Sequence, residues 1–170
     1  MNPTRSRAPA AGIPGTAVTV VVWLLLLYGQ RVLAIPSFQL ADGWRVGVGL
    51  LFAIDAAITI IWAAATLAPA RQQDALAVTG PYAMVRHPIY GAVLWSGTAS
   101  VAFAFESWLV LLAVVPLHFL WIRLVQQEET ELEERFGEEY TRYATETGQF
   151  LPRLSSLKRA AGGGASGPDG

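Results

Sequence analysis

The hydrophobic positions of this chain fall into three long runs separated by polar stretches. The first run, residues 13–32, supplies the roughly 20 apolar positions that a membrane-spanning helix needs. A second run covers residues 44–67, and a third covers residues 88–122 with Glu106 as its only charged side chain. The pattern therefore predicts an all-α integral membrane protein.

The third run is too long for a single span, because a helix crosses a bilayer with about 20 residues. We expect it to form a hairpin that turns near residues 105–107. This gives about four transmembrane helices in all. A polar stretch over residues 69–86 separates the hairpin from the second run, and its clearest break is the Gly80-Pro81 pair.

An acidic stretch follows the last hydrophobic run. Residues 126–146 contain eight acidic residues and two arginines, which predicts a C-terminal cytoplasmic amphipathic helix. Residues 1–15 and 156–170 are rich in proline, glycine and other small residues, so they bury too little apolar surface to order. We therefore expect one membrane domain over residues 16–155, a disordered N-terminus and a flexible C-terminal tail.

Composition agrees with a lipid environment and narrows the classes of function. Charged residues make up 15% of the chain, whereas soluble proteins carry about 25%, and the mean hydropathy is +0.40. The net charge of -1 gives no case for nucleic-acid binding. The chain has no cysteine and two histidines far apart in sequence, so we expect no metal site.

The distribution of arginines predicts the orientation. Basic residues are expected inside, near the ends of spans and in short loops. If the chain crosses the membrane four times, one side carries Arg5, Arg7, Arg71, Arg86 and the basic residues after position 122. Both termini and both polar stretches should then be cytoplasmic. A cleaved signal peptide ending near residues 32–34 is the alternative for the first run.

One glutamate of the acidic stretch stands apart. The positions that recur every four residues, and so share one helical stripe, are Leu124, Glu128, Leu132, Phe136 and Tyr140. Glu128 should therefore face inward, while Glu129, Glu133 and Glu134 point away or flank it. A carboxylate among inward-facing residues needs a cationic or hydrogen-bonding partner. A ligand's ammonium group would serve, and so would Arg123 or Arg86 in a purely structural ion pair.

A second group of polar residues begins the third run. Residues 86–91 read Arg-His-Pro-Ile-Tyr-Gly, and Tyr82 lies five residues before His87. Together Tyr82, His87 and Tyr90 would place two aromatic faces and an imidazole at the mouth of the bundle, an arrangement that suits a cationic, planar ligand. The simpler interpretation is a helix start at the headgroup level, with Tyr90 as an interfacial anchor.

These motifs resemble those of the isoprenylcysteine carboxyl methyltransferase superfamily, which includes the phospholipid methyltransferases. The matching segments are residues 76–82, 85–91, 128–129, 136–140, 143 and 150–152. The resemblance covers roughly residues 45–155. It implies a helical membrane enzyme that uses S-adenosylmethionine, bound between the helix ends and the C-terminal helix, with a lipid substrate admitted from the bilayer.

Carried over by motif, the resemblance implies specific roles. The residues expected at the cofactor are Leu76, Tyr82, His87, Pro88, Ile89, Tyr90 and Glu128. Glu128 would hold the cofactor's amino group. The residues expected to act in catalysis are Arg123, Glu128 and His87. A carboxylate acceptor needs no base, whereas a hydroxyl or amine must lose a proton to His87 or Glu128. Arg123 or Arg86 would position an anionic acceptor.

Several alternatives remain open at this point. The acceptor is an isoprenylcysteine-like carboxylate, or a hydroxyl, amine or thiol of a small lipid. A composition rich in alanine, glycine and arginine favours a bacterial inner membrane and thus a small lipid. A non-enzymatic four-span scaffold that docks a partner through its acidic helix is the main rival, and a relative with exchanged chemistry is another. Asp55, near mid-membrane, should bond to Thr59 or His118.

Overall fold

The structure is a computed structural model that describes residues 12–153, and these residues form helices without a β-strand. The α-helices are α1 (Gly12–Val32), α2 (Asp42–Gln72), α3 (Pro88–Gly91), α4 (Thr98–Ala104), α5 (Trp108–Phe136) and α6 (Glu138–Glu146). A 3-10 turn, Gly80–Ala83, precedes α3, and a π-helical segment, Ala92–Gly97, joins α3 to α4. Residues 88–104 therefore form one continuous helical passage.

Three of the described helices, α1, α2 and α5, are long and apolar enough to cross a bilayer. The passage over residues 88–104 is the remaining predicted span. At 1.5 Å per residue it is about 25 Å long, slightly less than the roughly 30 Å of a bilayer's hydrocarbon core. The prediction of an all-α membrane protein is confirmed. A count of four spans requires that residues 88–104 also cross the bilayer.

The hairpin turns where the sequence predicted. Helix α4 ends at Ala104, and Glu106 adopts the left-handed φ of 51°. The Ser107 side chain then caps α5 by accepting a hydrogen bond from the backbone N–H of Val110 at 3.2 Å. The close turn brings the two halves of the hairpin side by side.

The acidic stretch does not form a separate helix of its own. Its first part continues α5 without interruption to Phe136. Gly137 ends α5 with a φ of 55°, a conformation that residues with a side chain rarely adopt. The remainder is the short α6, whose face with Tyr140 and Tyr143 is buried. Helix α5 therefore carries polar residues directly beyond its membrane-spanning part.

The core lies along one side of α5. The buried residues that form it are Leu94, Ala113, Leu117, Trp121, Val125 and Phe150. Helix α1 approaches α5 closely at Gly15, where an added Cβ would lie 2.6 Å from the Trp121 ring. The Trp121 indole N–H donates to Thr19 Oγ1 at 3.0 Å, so the largest core residue also satisfies its polar group.

Further polar bonds join α1 to the hairpin. The Trp23 indole N–H donates to Thr98 Oγ1 at 3.2 Å, and the Ser107 hydroxyl donates to Gln30 Oε1 at 2.5 Å. Such bonds hold helices together where lipid gives no hydrophobic drive for association. Helix α1 therefore packs as a member of the bundle. The predicted flexible ends, residues 1–15 and 156–170, lie outside the described residues apart from 12–15, which belong to α1.

Helix α2 packs against the π-helical segment and α4. The Ser100 hydroxyl donates to the Gly49 carbonyl at 2.9 Å, and the Ser96 hydroxyl donates to Asp55 Oδ2 at 2.5 Å. The interhelical hydrogen bond expected for Asp55 is thus present. Its partner is Ser96 of the neighbouring passage rather than Thr59 or His118, because the π-helical segment faces α2 at this depth.

Candidate functional site

The two polar motifs meet at one end of the bundle. Pro88 occupies the first turn of α3, where its missing N–H leaves no donor unpaired, and Arg86 and His87 precede it. Helix α5 reaches the same level because it extends past its apolar part. The carboxylates of Glu128 and Glu129 consequently lie beside the start of α3.

Glu129 is the more tightly held of the two carboxylates. Its Oε1 accepts from Arg86 Nε at 2.8 Å and lies 3.1 Å from His87 Nε2. The Arg86 side chain is only 11% exposed, and that of Glu129 is 20% exposed. Glu129 therefore flanks the inward stripe, as one of the two expected alternatives had it, and it does not point away, because it faces inward as an ion-pair partner of Arg86.

Arg86 also secures the end of the described chain. Its Nη1 donates to the carbonyl oxygens of Ala144 at 2.9 Å and Thr147 at 2.6 Å. The backbone N–H groups of Arg86 and His87 donate to the carbonyls of Gly148 at 2.8 Å and Gln149 at 3.0 Å. The segment after α6 is thereby fixed against the start of α3.

Glu128 has a different environment. It is half-buried, and its Oε2 accepts a hydrogen bond from the Tyr90 hydroxyl at 2.9 Å. Within residues 12–153, no cation forms an ion pair with it. The alternative of a structural ion pair with Arg86 or Arg123 is not realised, since Arg86 binds the neighbouring Glu129 instead.

Tyr90, the hydrogen-bond partner of Glu128, belongs to a group of aromatic rings. The Tyr90 ring stacks on His87 with centroids 5.4 Å apart, and on Trp121 with centroids 5.0 Å apart. The Phe150 ring contacts the His87 ring, with centroids 5.9 Å apart. Glu128 is therefore bonded to one member of an aromatic group, and aromatic faces favour a cationic ligand.

Tyr82 lies close to the same carboxylate. It is buried in the 3-10 turn, and its carbonyl accepts a hydrogen bond from the Tyr143 hydroxyl at 2.8 Å. Burial raises the pKa of Tyr82 to about 12, while the charge of Arg71 opposes the rise and that of Glu128 adds to it. Tyr82 thus remains a neutral phenol within electrostatic range of Glu128.

The other predicted site residues are less closely gathered. Leu76 is half-buried in the loop before the 3-10 turn, Pro88 is buried, and Ile89 is half-buried. Arg123 is exposed on α5. Five residues separate it from Glu128, which is about 140° of rotation on a helix, so the two side chains leave α5 in different directions. The structure therefore does not bring Arg123 into the group.

A cavity of about 580 Å³ lies between the end of α5 and α6. Its lining residues are Gln126, Glu129, Thr130, Glu133, Tyr140, Thr141, Ala144, Thr145 and Arg153. Glu129 lines this cavity, whereas Glu128 and Tyr90 are not among its lining residues.

Sequence reasoning missed Glu129, although the signal was present. Trp121, Val125 and Glu129 also recur every four residues, and this column lies directly beside the one that contains Glu128. A stripe two columns wide, as amphipathic helices have, would have included both. Among the described residues, no group of three or more histidine, aspartate or glutamate side chains is suitable for holding a metal ion.

Comparison with known proteins adds family information. The family described as phospholipid methyltransferase matches residues 44–139, a range that includes both polar motifs. The nickel-cobalt-cadmium resistance protein NccN of Alcaligenes xylosoxydans xylosoxydans is 35% identical over 146 residues, covering 83% of this chain and 64% of the relative. The chain thus spans just under two thirds of that relative's length. No solved structure matches the chain.

Proposed function

We propose that this chain, which belongs to the phospholipid methyltransferase family, is an integral membrane methyltransferase that uses S-adenosylmethionine and modifies a lipidic acceptor. The family is one of membrane methyltransferases related to the isoprenylcysteine carboxyl methyltransferases. The acceptor group in this proposal is an isoprenylcysteine-like carboxylate, or a hydroxyl or amine of a small lipid. The site faces the cytoplasm of a bacterial inner membrane, with both termini on the same side.

The observation that carries the proposal is the environment of Glu128. It is a half-buried carboxylate whose partner in the described chain is a phenol and not a cation. A carboxylate in such a place is costly unless a positive group pairs with it. The α-ammonium group of S-adenosylmethionine has the required charge, so the residues present fit this cofactor.

The aromatic group supports the same assignment. Tyr90 bonds to Glu128, and Tyr82 lies within electrostatic range of it, and aromatic side chains of this kind suit both an adenine ring and a positively charged sulfur. The cofactor, when bound, supplies a methyl group that is already activated on a sulfonium. The chain's own task is then to hold the acceptor in line and to exclude water, a proximity effect.

Proton removal is needed when the acceptor is a hydroxyl or an amine. His87 Nε2 already lies 3.1 Å from Glu129, so this nitrogen is engaged within the chain. Among residues 12–153, only Oε2 of Glu128 accepts a hydrogen bond, so in this proposal its other oxygen is the better placed proton acceptor. In this proposal His87 chiefly positions Tyr90 by stacking. Arg123, exposed near the end of the apolar part of α5, orients an anionic acceptor at the membrane surface.

Calorimetric titration of S-adenosylmethionine into the protein in lipid nanodiscs tests the proposal. We expect saturable binding by the wild type, and a loss of affinity of about tenfold or more in Glu128→Gln, as for a hydrogen bond to a charged group. The matched control is Glu133→Gln, since Glu133 is exposed on the same helix and should bind normally. Equal affinities of the two variants, or no binding by folded wild type, would refute the proposal.

A further inference from the structure

The residues that follow α6 form a short segment beside the start of α3. We call residues 147–153 the strap. The backbone N–H groups of Arg86 and His87 donate to the carbonyls of Gly148 at 2.8 Å and Gln149 at 3.0 Å. The strap is therefore held by main-chain hydrogen bonds directly at the residues that precede α3.

Two glycines let the strap come this close. A Cβ added to Gly148 would overlap the carbonyl oxygen of Leu151, because the strap turns back on itself there. A Cβ added to Gly91 of α3 would lie 3.3 Å from the carbonyl oxygen of Phe150, closer than ordinary van der Waals contact. The turn and the approach to α3 together fix the backbone of Phe150, a residue that is only 5% exposed.

The Phe150 ring contacts two histidine side chains from different elements. Its centroid lies 5.9 Å from that of His87, just before α3, and 5.7 Å from that of His118 on α5. The His87 ring also stacks on Tyr90 with centroids 5.4 Å apart, and its Nε2 lies 3.1 Å from Glu129 Oε1. Three neighbours thus set the orientation of the His87 ring, and the strap supplies one of them.

The orientation of His87 bears on Glu128 through Tyr90. The planes of the His87 and Tyr90 rings are inclined by only 10°. The Tyr90 hydroxyl donates to Glu128 Oε2 at 2.9 Å, and among residues 12–153 this is the hydrogen bond that orients the carboxylate. A hydrogen bond weakens steeply as its donor turns away from the acceptor. A rotation of the Tyr90 ring would therefore release Glu128.

We propose that Phe150 is a positioning residue of the candidate site. Its ring keeps His87 stacked on Tyr90, and the Tyr90 hydroxyl then holds the Glu128 carboxylate towards the ammonium group of the cofactor. This assignment rests on the proposed function. Phe150 acts through two intervening rings and not by contact with the ligand, so the loss of its ring should affect cofactor binding only through Tyr90.

A packing role alone leads to a different expectation. Phe150 also belongs to the buried core along α5, and the loss of a buried ring lowers the free energy of unfolding in general. A residue that only packs would change this free energy and leave the Tyr90 hydroxyl in place. Measurements on Tyr90 and on cofactor binding, made alongside stability, therefore separate the two roles.

Phe150→Leu in lipid nanodiscs is the main test variant. Phe150→Met, whose flexible side chain fills irregular space well, replaces it if the leucine variant does not fold. Phe119→Leu is the matched control, since its exposed ring also contacts His118 and is not among the ring neighbours of His87 within residues 12–153. Val110→Ala removes buried volume from the first turn of α5 and is the control for lost stability.

Magnetic resonance of ring-labelled tyrosine tests the connection to Tyr90 without cofactor. The chain has five tyrosines, and Tyr90→Phe identifies the Tyr90 signal by its disappearance. We expect Phe150→Leu to shift or broaden this signal, because the stacked neighbour His87 is no longer fixed. Phe119→Leu and Val110→Ala should leave it in place. An unchanged Tyr90 signal in the folded Phe150 variant would overturn the proposal.

Calorimetric titration of S-adenosylmethionine tests the connection to Glu128. We expect Phe150→Leu to bind about fivefold more weakly than the wild type, as for the loss of one hydrogen bond, and both controls to bind normally. In the Tyr90→Phe background, Phe150→Leu should cause no further loss, because the hydroxyl that it positions is absent. An equal loss in both backgrounds would show that Phe150 acts by another route and would overturn the proposal.

The two measurements separate this inference from the proposed function. A changed Tyr90 signal in Phe150→Leu, with no cofactor binding by folded wild type, would support the connection from Phe150 to Tyr90 and refute the proposed function. Cofactor binding by the wild type, with an unchanged Tyr90 signal in Phe150→Leu, would refute the positioning role alone. A lower free energy of unfolding as the sole effect of Phe150→Leu would assign Phe150 to packing and overturn the proposal.

Discussion

Glu128 and Glu129 are consecutive residues of α5, yet their carboxylates lie in different surroundings. Glu129 belongs to what we call the arginine cluster, formed by Arg86, His87 and Glu129. Glu128 forms what we call the open pair with Tyr90. One carboxylate is satisfied by the Arg86 guanidinium and the His87 imidazole, whereas the other is held by a neutral hydroxyl.

The difference arises from helical rotation. Adjacent residues on a helix point about 100° apart. Glu129 therefore faces Arg86 and His87, just before α3, whereas Glu128 faces Tyr90 within α3. Two adjacent acidic residues on one helix can therefore have different roles. The arginine cluster fastens distant segments together, and the open pair leaves a charge for a ligand.

The largest expected effect comes from breaking the arginine cluster. Glu129→Gln leaves the mostly buried Arg86 without a counter-charge, and we expect it to lower the free energy of unfolding by about 3 kcal/mol. Denaturant titration in detergent measures this loss. Glu133→Gln serves as the exposed control and should match the wild type. If Glu128→Gln destabilised the protein as much as Glu129→Gln, the comparison would be wrong.

Arg86→Lys should have the next largest effect. The guanidinium binds Glu129 and the carbonyls of Ala144 and Thr147 at once, and an ammonium group cannot reproduce this planar fork. We expect a loss of about 2 kcal/mol in unfolding free energy from the unpaired carbonyls. Arg142→Lys, at an exposed position of α6, is the matched control. A stability equal to that control would show that the fork contributes nothing.

Tyr90→Phe tests the open pair itself. The variant removes the hydroxyl that orients Glu128 and keeps the ring that stacks on His87 and Trp121. We expect about 1 kcal/mol less binding free energy for S-adenosylmethionine and little change in stability. Calorimetry of the two single variants and of the double variant, Tyr90→Phe with Glu128→Gln, gives the coupling free energy between Tyr90 and Glu128 in cofactor binding. Strictly additive effects would mean that Tyr90 does not act through Glu128.

Alkaline titration of Tyr82 comes last, because it has no effect at neutral pH. Burial raises its pKa from 10.0 to about 12, so the folded state favours the neutral phenol. The resulting stabilisation is present below pH 10 and is lost as the pH rises towards 12. Phenolate absorbance, with Tyr82→Phe as the reference, follows this ionisation.

The same titration sharpens the comparison of the two carboxylates. The charge of Glu128 contributes to the raised pKa of Tyr82. We therefore expect Glu128→Gln to move the Tyr82 titration to lower pH, while Glu133→Gln leaves it unchanged. A shift of equal size in both variants would indicate that Tyr82 responds to the general charge of α5 and not to its neighbour.

Much of the site was predictable where the pattern is local. The stripe that singled out Glu128 is confirmed in its geometry, since Glu128 is half-buried while Glu133 and Glu134 are exposed. The pattern could not reveal that Arg86 prefers Glu129, because that choice depends on contacts with Ala144 and Thr147 as well. It also could not place the end of α5, which continues past the membrane until Gly137 stops it.

The amino-acid sequence by itself determined the membrane class, the hairpin turn near Glu106 and the inward direction of Glu128. These features follow from run lengths and helical spacing, which act over a few residues. Only the tertiary structure decided which carboxylate binds Arg86 and that Trp95 meets His118. The first pairing joins residues 43 positions apart, and the second joins two separate helical segments. They depend on how the helices pack, because packing sets which faces meet.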